Sequence, residues 1–246
     1  MEILNSLLVS INRREVSKVR IGLNWTAVSV EHNGVEQCGI ASTIVQSHTH
    51  SEEPRIKMAG EFEDFSNLEL AELSLSDNPT LRSVGVAAIN ASITPDLHKV
   101  EESNAADVLA KYGAGKKLAL IGRFPFSDRL RSKVGELSVI DQNPGPGDYP
   151  PGEASEILPK SDVVAITGMS LINHTLQDLL DLCPEGSFVM VLGPSAPLSP
   201  VLFDYGVDVI SGAVIENIKK VLRVVTQGGN FRQVHKAGVK LVNLYR

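Results

Sequence analysis

Apolar positions along the chain change their period from segment to segment, and each change marks a different kind of element. Ile3, Leu4, Leu7, Leu8 and Ile11 recur at helical spacing, so the chain opens on an amphipathic helix. Val19, Ile21 and Leu23 then alternate with polar or small residues, as a half-buried strand requires. Two further strands are predicted over Trp25 to Glu31 and Val35 to Ala41, separated by His32-Asn33-Gly34. Asn-Gly favours the positive φ angles of a tight hairpin turn, so this part reads as a small antiparallel meander. A polar connection from Ser42 to Asn67 follows, of a length that suits a lid or binding loop. Leu68 to Leu75 is a short apolar-rich helix. Asn78-Pro79 starts the next one, because Asn caps a helix and Pro fits its first position. That helix carries Leu81, Val84, Ala88 and Ala91 on one stripe. Gly85 and Ala87 keep its surface narrow enough for a neighbouring backbone to approach.

From about Asn104 the pattern becomes strand, turn, helix, repeated. Lys117 to Ile121, Leu137 to Ile140, Val163 to Ile166, Phe188 to Leu192 and Val207 to Ile210 are apolar runs of strand length. Amphipathic helices are predicted through Leu171, Ile172, Thr175, Leu176, Leu179 and Leu180, and from Val214 to Val225, the latter stopped by Gly228-Gly229. Apolar strands alternating with such helices indicate a parallel sheet covered on both faces. The fold class is therefore α/β. The boundary falls between Ser92 and Ala106, giving an N-terminal α+β domain over 1–98 and a C-terminal Rossmann-like parallel-sheet domain over 99–246.

Composition narrows the function classes. With 43% hydrophobic residues the chain has the content of a packed protein rather than a disordered one. Its net charge is -6 and both signs are interspersed, which speaks against a nucleic-acid partner. The start, Met1-Glu2-Ile3, lacks the basic, apolar pattern of a signal peptide, and no apolar run is long enough to span a membrane. Two distant cysteines, Cys38 and Cys183, fit a reducing cytoplasm rather than a disulfide framework.

Ligands of an open parallel sheet bind beyond the carboxyl ends of its strands. The turns expected there are Gly122-Arg123-Phe124-Pro125, Asp141 to Gly147, Thr167-Gly168-Met169-Ser170 and Gly193-Pro194-Ser195-Ala196-Pro197. Asp141 stands where many Rossmann domains hold ribose hydroxyls; the plainer reading is a turn acid. The first turn lacks G-x-G-x-x-G, which disfavours NAD but leaves S-adenosylmethionine, which has no pyrophosphate. Thr167 to Ser170 precedes a helix whose first amides suit an anion, with Asn173 and Thr175 nearby; Ser170 or Asn173 as a helix cap is the alternative. His48 and His50, with Glu52 and Glu53 beside them, are candidate transition-metal ligands or solvated surface. Neither His174 nor His235 has a partner evident in the sequence.

Several segments together resemble the putative heavy-metal chelation domain family. They are Ser83 to Ala91, Ser161 to Gly168, Leu171 to Leu176, Gly193 to Pro197 and Gly206 to Gly212. The resemblance implies a domain like the N-terminal domain of enolase, then a Rossmann-like domain, with a site between the two. It also implies a role in flavin, pterin or siderophore-like chelator chemistry. Asn90, Thr167, Gly168, Asn173, Gly193, Pro194 and Ser195 are the matching positions. The leading expectation is a small anionic or metal-chelate ligand in the interdomain cleft, bound for condensation or hydrolysis. Asn173 and Ser195 would orient it and Asp141 would supply acid-base chemistry. A methyltransferase using S-adenosylmethionine, a non-catalytic metal-complex binder and a homo-oligomeric state are the further expectations.

Overall fold

A computed structural model describes residues 1–45, 54–96 and 98–246 of the chain. Its strands are β1 (Glu15–Ile21), β2 (Trp25–His32), β3 (Val35–Ser42), β4 (Val100–Glu101), β5 (Lys117–Ile121), β6 (Glu136–Ile140), β7 (Val163–Thr167), β8 (Phe188–Leu192), β9 (Val209–Ile215) and β10 (Val239–Tyr245). The α-helices are α1 (Glu2–Ser10), α2 (Asn67–Glu72), α3 (Pro79–Ser92), α4 (Ala105–Gly113), α5 (Ser127–Leu130), α6 (Ala154–Ile157), α7 (Met169–Ile172), α8 (Leu176–Asp181), α9 (Ile218–Thr226) and α10 (Phe231–Gly238).

The N-terminal strands form an antiparallel sheet in the order β1-β2-β3. Asn33 and Gly34 both have positive φ, 52° and 77°, which is the turn that Asn-Gly predicts. One sheet face (Val19, Val28, Val30 and Ala41) joins a core with α1 and α3. The other face carries Trp25, Ala27 and Ile40 into a second core with Val221, Val225 and Val234 of α9 and α10. The meander is thus sandwiched between its own helices and helices from the far end of the chain. Asn78 caps α3 as expected, its Oδ1 accepting from the amides of Thr80 at 2.9 Å and Leu81 at 3.4 Å.

The larger sheet has the order β4-β10-β9-β8-β7-β5-β6. Its five parallel strands, β6-β5-β7-β8-β9, follow the doubly wound order 2-1-3-4-5 when numbered along the chain. The antiparallel β10, with β4 beyond it, closes the β9 edge. The chain is therefore an α/β protein with a small antiparallel sheet and a mostly parallel one.

Three elements depart from the periodic pattern. The helix predicted across residues 171–180 is broken into α7 and α8, with His174 between them at φ 59°. Val214 and Ile215 belong to β9 rather than to the following helix, because β10 pairs with them from Val239 and Lys240. Leu23 lies outside β1 and is 74% exposed, because Gly22 turns back to donate its N–H to Trp25 O at 2.9 Å. In the first two cases a long-range partner overrides local periodicity, as it does for helix and strand propensity in general, whereas at Leu23 a local turn ends the strand.

Candidate functional site

Because β5, β6, β7 and β8 run parallel, Ile121, Ile140, Thr167 and Leu192 end on one edge of the sheet. Sequential hydrogen bonds stitch the turns there to neighbouring strands. Gly122 N donates to Ile140 O at 2.8 Å, Gly168 N to Leu192 O at 2.8 Å and Gly193 N to Ser211 O at 2.9 Å. The glycine-rich turns therefore converge, but these three amides are spent inside the protein and do not form an anion cradle. A Cβ on Gly168 would lie 2.4 Å from Ala196 N, so two of the turns touch through backbone.

The N-terminal unit covers this rim. Ser195 is 2% exposed; its Oγ accepts the Ser42 N–H at 2.9 Å and lies 3.3 Å from Ser42 Oγ, to which it donates. Asn90 Nδ2 donates to Ile40 O at 2.9 Å and to Ser195 O at 3.3 Å, so one side chain grips both units. Its Oδ1 is buried and has no partner among the described residues. The structure thus brings Asn90, Gly168, Gly193, Pro194 and Ser195 into one neighbourhood. Ser42, at the end of β3, completes it; its partner lies 153 positions away, so no local pattern could announce it.

The Thr167–Thr175 segment differs from its expected form. α7 has only four residues, and Met169 N is taken by Thr167 Oγ1 at 3.4 Å, so it offers no helix terminus for an anion. Neither the Ser170 nor the Asn173 side chain caps a helix N-terminus, but Asn173 is the C-cap of α7, its backbone N–H donating to Met169 O at 2.9 Å. Ser170, 1% exposed, donates to Thr167 O at 2.7 Å, and its own carbonyl receives Thr175 N at 2.9 Å. Thr175 is exposed, whereas Asn173 is half-buried with no side-chain hydrogen bond among the described residues. His174 has two partners after all, both in the N-terminal unit. Its Nε2 is 2.7 Å from Ser74 O and its Nδ1 is 3.4 Å from Arg82 Nη1. Arginine only donates, so Nδ1 accepts and Nε2 carries the proton.

Asp141 sits apart from this group. Its Oδ2 accepts from Arg123 N and its Oδ1 from Asn143 N, both at 2.8 Å, an arrangement that fixes the ends of two rim turns. Beside it Asp148, whose side chain is 0% exposed, binds Arg123 Nη1, Arg131 Nη2 at 3.5 Å and Gly145 N at 3.1 Å. The bond to Asp148 comes first in holding the Arg123 guanidinium above its ordinary range, followed by the charge of Asp128. Asp148→Ala should loosen the 141–149 turn and cost about 2 kcal/mol, since it removes the buried carboxylate that ties Arg123, Arg131 and the Gly145 amide together. Among the described residues it leaves the Arg123 guanidinium only Asp128 and that of Arg131 only Leu137 O. Faster amide exchange confined to that turn, measured by hydrogen–deuterium mass spectrometry, would register the change; unaltered exchange would refute it.

Burial, reinforced by Glu36, pushes the Cys38 thiol up to about 12; burial, with Asp181, pushes Cys183 up to about 11. Both are free thiols. Since the thiolate is the nucleophile, a thiol reagent near neutral pH should label neither while the chain is folded and both after denaturation. Rapid labelling of folded protein would contradict this. His48, His50, Glu52 and Glu53 lie outside the described residues. Among the described residues no three His, Cys, Asp or Glu side chains gather as a metal site, and no helix is long and apolar enough to cross a membrane.

Fold and rim together define a class: a doubly wound α/β sheet whose carboxyl edge is capped by an antiparallel meander from the same chain. Two family models, both described as putative heavy-metal chelation, match residues 4–93 and 104–243. The chain belongs to that putative heavy-metal chelation family. It is similar to an uncharacterized protein of Methanocaldococcus jannaschii, 27% identical over 209 residues that cover 81% of this chain and 78% of the relative. A crystal structure of a protein with unknown function from Desulfitobacterium hafniense, in the same family, matches with a TM-score of 0.84 at 26% identity, over 100% of this chain and 98% of that one. A second, from Pyrococcus horikoshii, matches at 0.81 and 24% identity over 99% and 100%, and shows the fold alone.

Proposed function

We propose that this protein binds a small anionic or metal-chelating metabolite in the seam where α3 meets the carboxyl rim of the larger sheet. One observation carries the reading: two buried, unpartnered polar atoms, Asn90 Oδ1 and Arg82 Nε, lie on α3. Both side chains also contact the C-terminal unit, through Ser195 and His174. Eight residues of α-helix separate them by about 12 Å, the scale of a metabolite. A buried polar atom without a partner costs about 1–3 kcal/mol, so two such atoms on the helix that meets the rim favour an occupant. Arg82 supplies positive charge for an acidic group, and Asn90 Oδ1 accepts from a hydroxyl, an amine or a metal-bound water.

Within this reading Asn173 and Thr167 are binding residues, because Asn173 has no structural hydrogen bond to lose. Ser170, Gly168, Gly193 and Pro194 shape the floor. Ser195 acts as a clasp between the units, its hydroxyl committed to Ser42, and Asp141 holds the neighbouring turns. The division of the chain at 98/99 and a cytoplasmic setting belong to the same proposal.

The test is mass spectrometry of small molecules released from protein purified without a histidine tag. An acidic or chelating compound near stoichiometry is expected. Asn173→Ala should retain it roughly tenfold less well, a loss of about 1.4 kcal/mol, with the melting temperature moved by less than about 2 °C. An empty wild type that no acidic metabolite or chelate stabilises, or full retention by Asn173→Ala, would sink the reading.

A further inference from the structure

A groove of about 400 Å³ lies between the meander and α9, away from the rim. Its walls follow from two different periods. Lys18 and Arg20 alternate along β1 and so project from one sheet face, while Lys219 and Arg223, four residues apart, share a face of α9. Ile218 and Leu222 add apolar surface to the lining, and Glu36 adds one carboxylate. In a chain of net charge -6, this gathering of four cations is a local reversal of sign.

The cations are not equally occupied. Lys18 and Arg20 share Glu63, at 3.5 Å and 2.6 Å. Lys219 and Arg223 form no salt bridge among the described residues, and both are exposed. The sheet face behind these cations also holds a buried hydroxyl that is not part of the groove's lining. Ser29 stands in register between Lys18 and Cys38, on the face that also carries Trp25 and Ala27 against α9. It is 0% exposed, and its Oγ has no hydrogen-bond partner among the described residues.

We propose that this groove is a second binding site, which takes a small phosphate monoester. The tetrahedral dianion receives hydrogen bonds from both walls at once. Arg20 and Arg223 supply forked donors and Lys18 and Lys219 compact charges. The organic part rests on Ile218 and Leu222, while Glu36 disfavours a second anionic group. The volume falls in the range of about 300–1,000 Å³ usual for small-molecule sites. This site is independent of the rim seam proposed above.

Calorimetric titration of the full chain with phenyl phosphate at low ionic strength tests it. Saturable binding is expected, tighter than for inorganic phosphate because of the apolar surface, and weakened by added salt. The double variant Lys219→Ala, Arg223→Ala should bind roughly tenfold more weakly while melting like the wild type, since both side chains project into solvent. Asn173→Ala should leave phenyl phosphate binding unchanged, which separates this site from the seam. The proposal is overturned if neither phosphate binds saturably, if benzoate binds as well as phenyl phosphate, or if the double variant keeps full affinity.

Discussion

Gly39→Ala and Gly85→Ala should each cost about 3 kcal/mol of folding stability, the upper end of ordinary overpacking. A Cβ on Gly39 would lie 2.2 Å from Ala91 N and 2.4 Å from Ala87 O, and one on Gly85 only 2.0 Å from Ser74 N. The opposing atoms are backbone, so no rotamer change relieves the clash. Either α3 must lift from β3, or the turn carrying Ser74 must lift from α3. At roughly 2–4 °C per kcal/mol for a chain of this size, the melting temperature should fall by about 6–12 °C. Gly152 is the control, because a Cβ there meets nothing within 4 Å. Differential scanning calorimetry that found Gly39→Ala as stable as Gly152→Ala would show that the close approach is wrong.

The second large effect is expected at His174. His174→Ala removes the donor to Ser74 O and the acceptor facing Arg82, and it also places alanine at φ 59°. A buried acceptor left unpaired costs about 1–3 kcal/mol, and a left-handed backbone adds about 1–2 kcal/mol for a residue with a Cβ. His174→Gly loses the same hydrogen bonds without the backbone penalty, and asparagine tolerates this conformation better than alanine. Chemical denaturation should therefore rank the variants Asn and Gly above Ala. Equal losses for all three would mean that the backbone strain is absent and only the side-chain contacts matter. His174 also joins the two units, so His174→Ala should raise proteolytic cleavage near Ser74 and Asn173 together.

Much of the scaffold was legible from local order. The strands at Lys117 and Phe188 run over the residues their apolar runs mark. The Asn33-Gly34 turn and the Asn78 cap follow from chemistry confined to a few neighbouring residues. Even the small residues of α3 announced a close neighbour. What they left open was which neighbours: β3 at Gly39 on one side and the Ser74 turn on the other. The break at His174 was hidden for the opposite reason. Leu171, Ile172, Leu176 and Leu180 keep a helical spacing straight across it.

The site divides along the same line. Parallel strand order puts glycine-rich turns on one edge, and that much is a consequence of hydrophobic periodicity. Whether those turns leave amides free, and what lies over them, depends on contacts between distant residues. Asp141 reads alike as a ligand-binding acid or a turn acid until the amides of Arg123 and Asn143 are found on its two oxygens. Ser195 reads as a hydroxyl that orients a ligand until Ser42 is seen to occupy it. The cationic groove is invisible in a chain of interspersed charge, because Lys18 and Arg20 meet Lys219 and Arg223 only when α9 packs on the meander. The sequence alone determined the elements, because capping, turn geometry and apolar period act over a few residues. Tertiary structure alone decided which polar atoms are satisfied and which are left without a partner, because that depends on residues brought together from opposite ends of the chain.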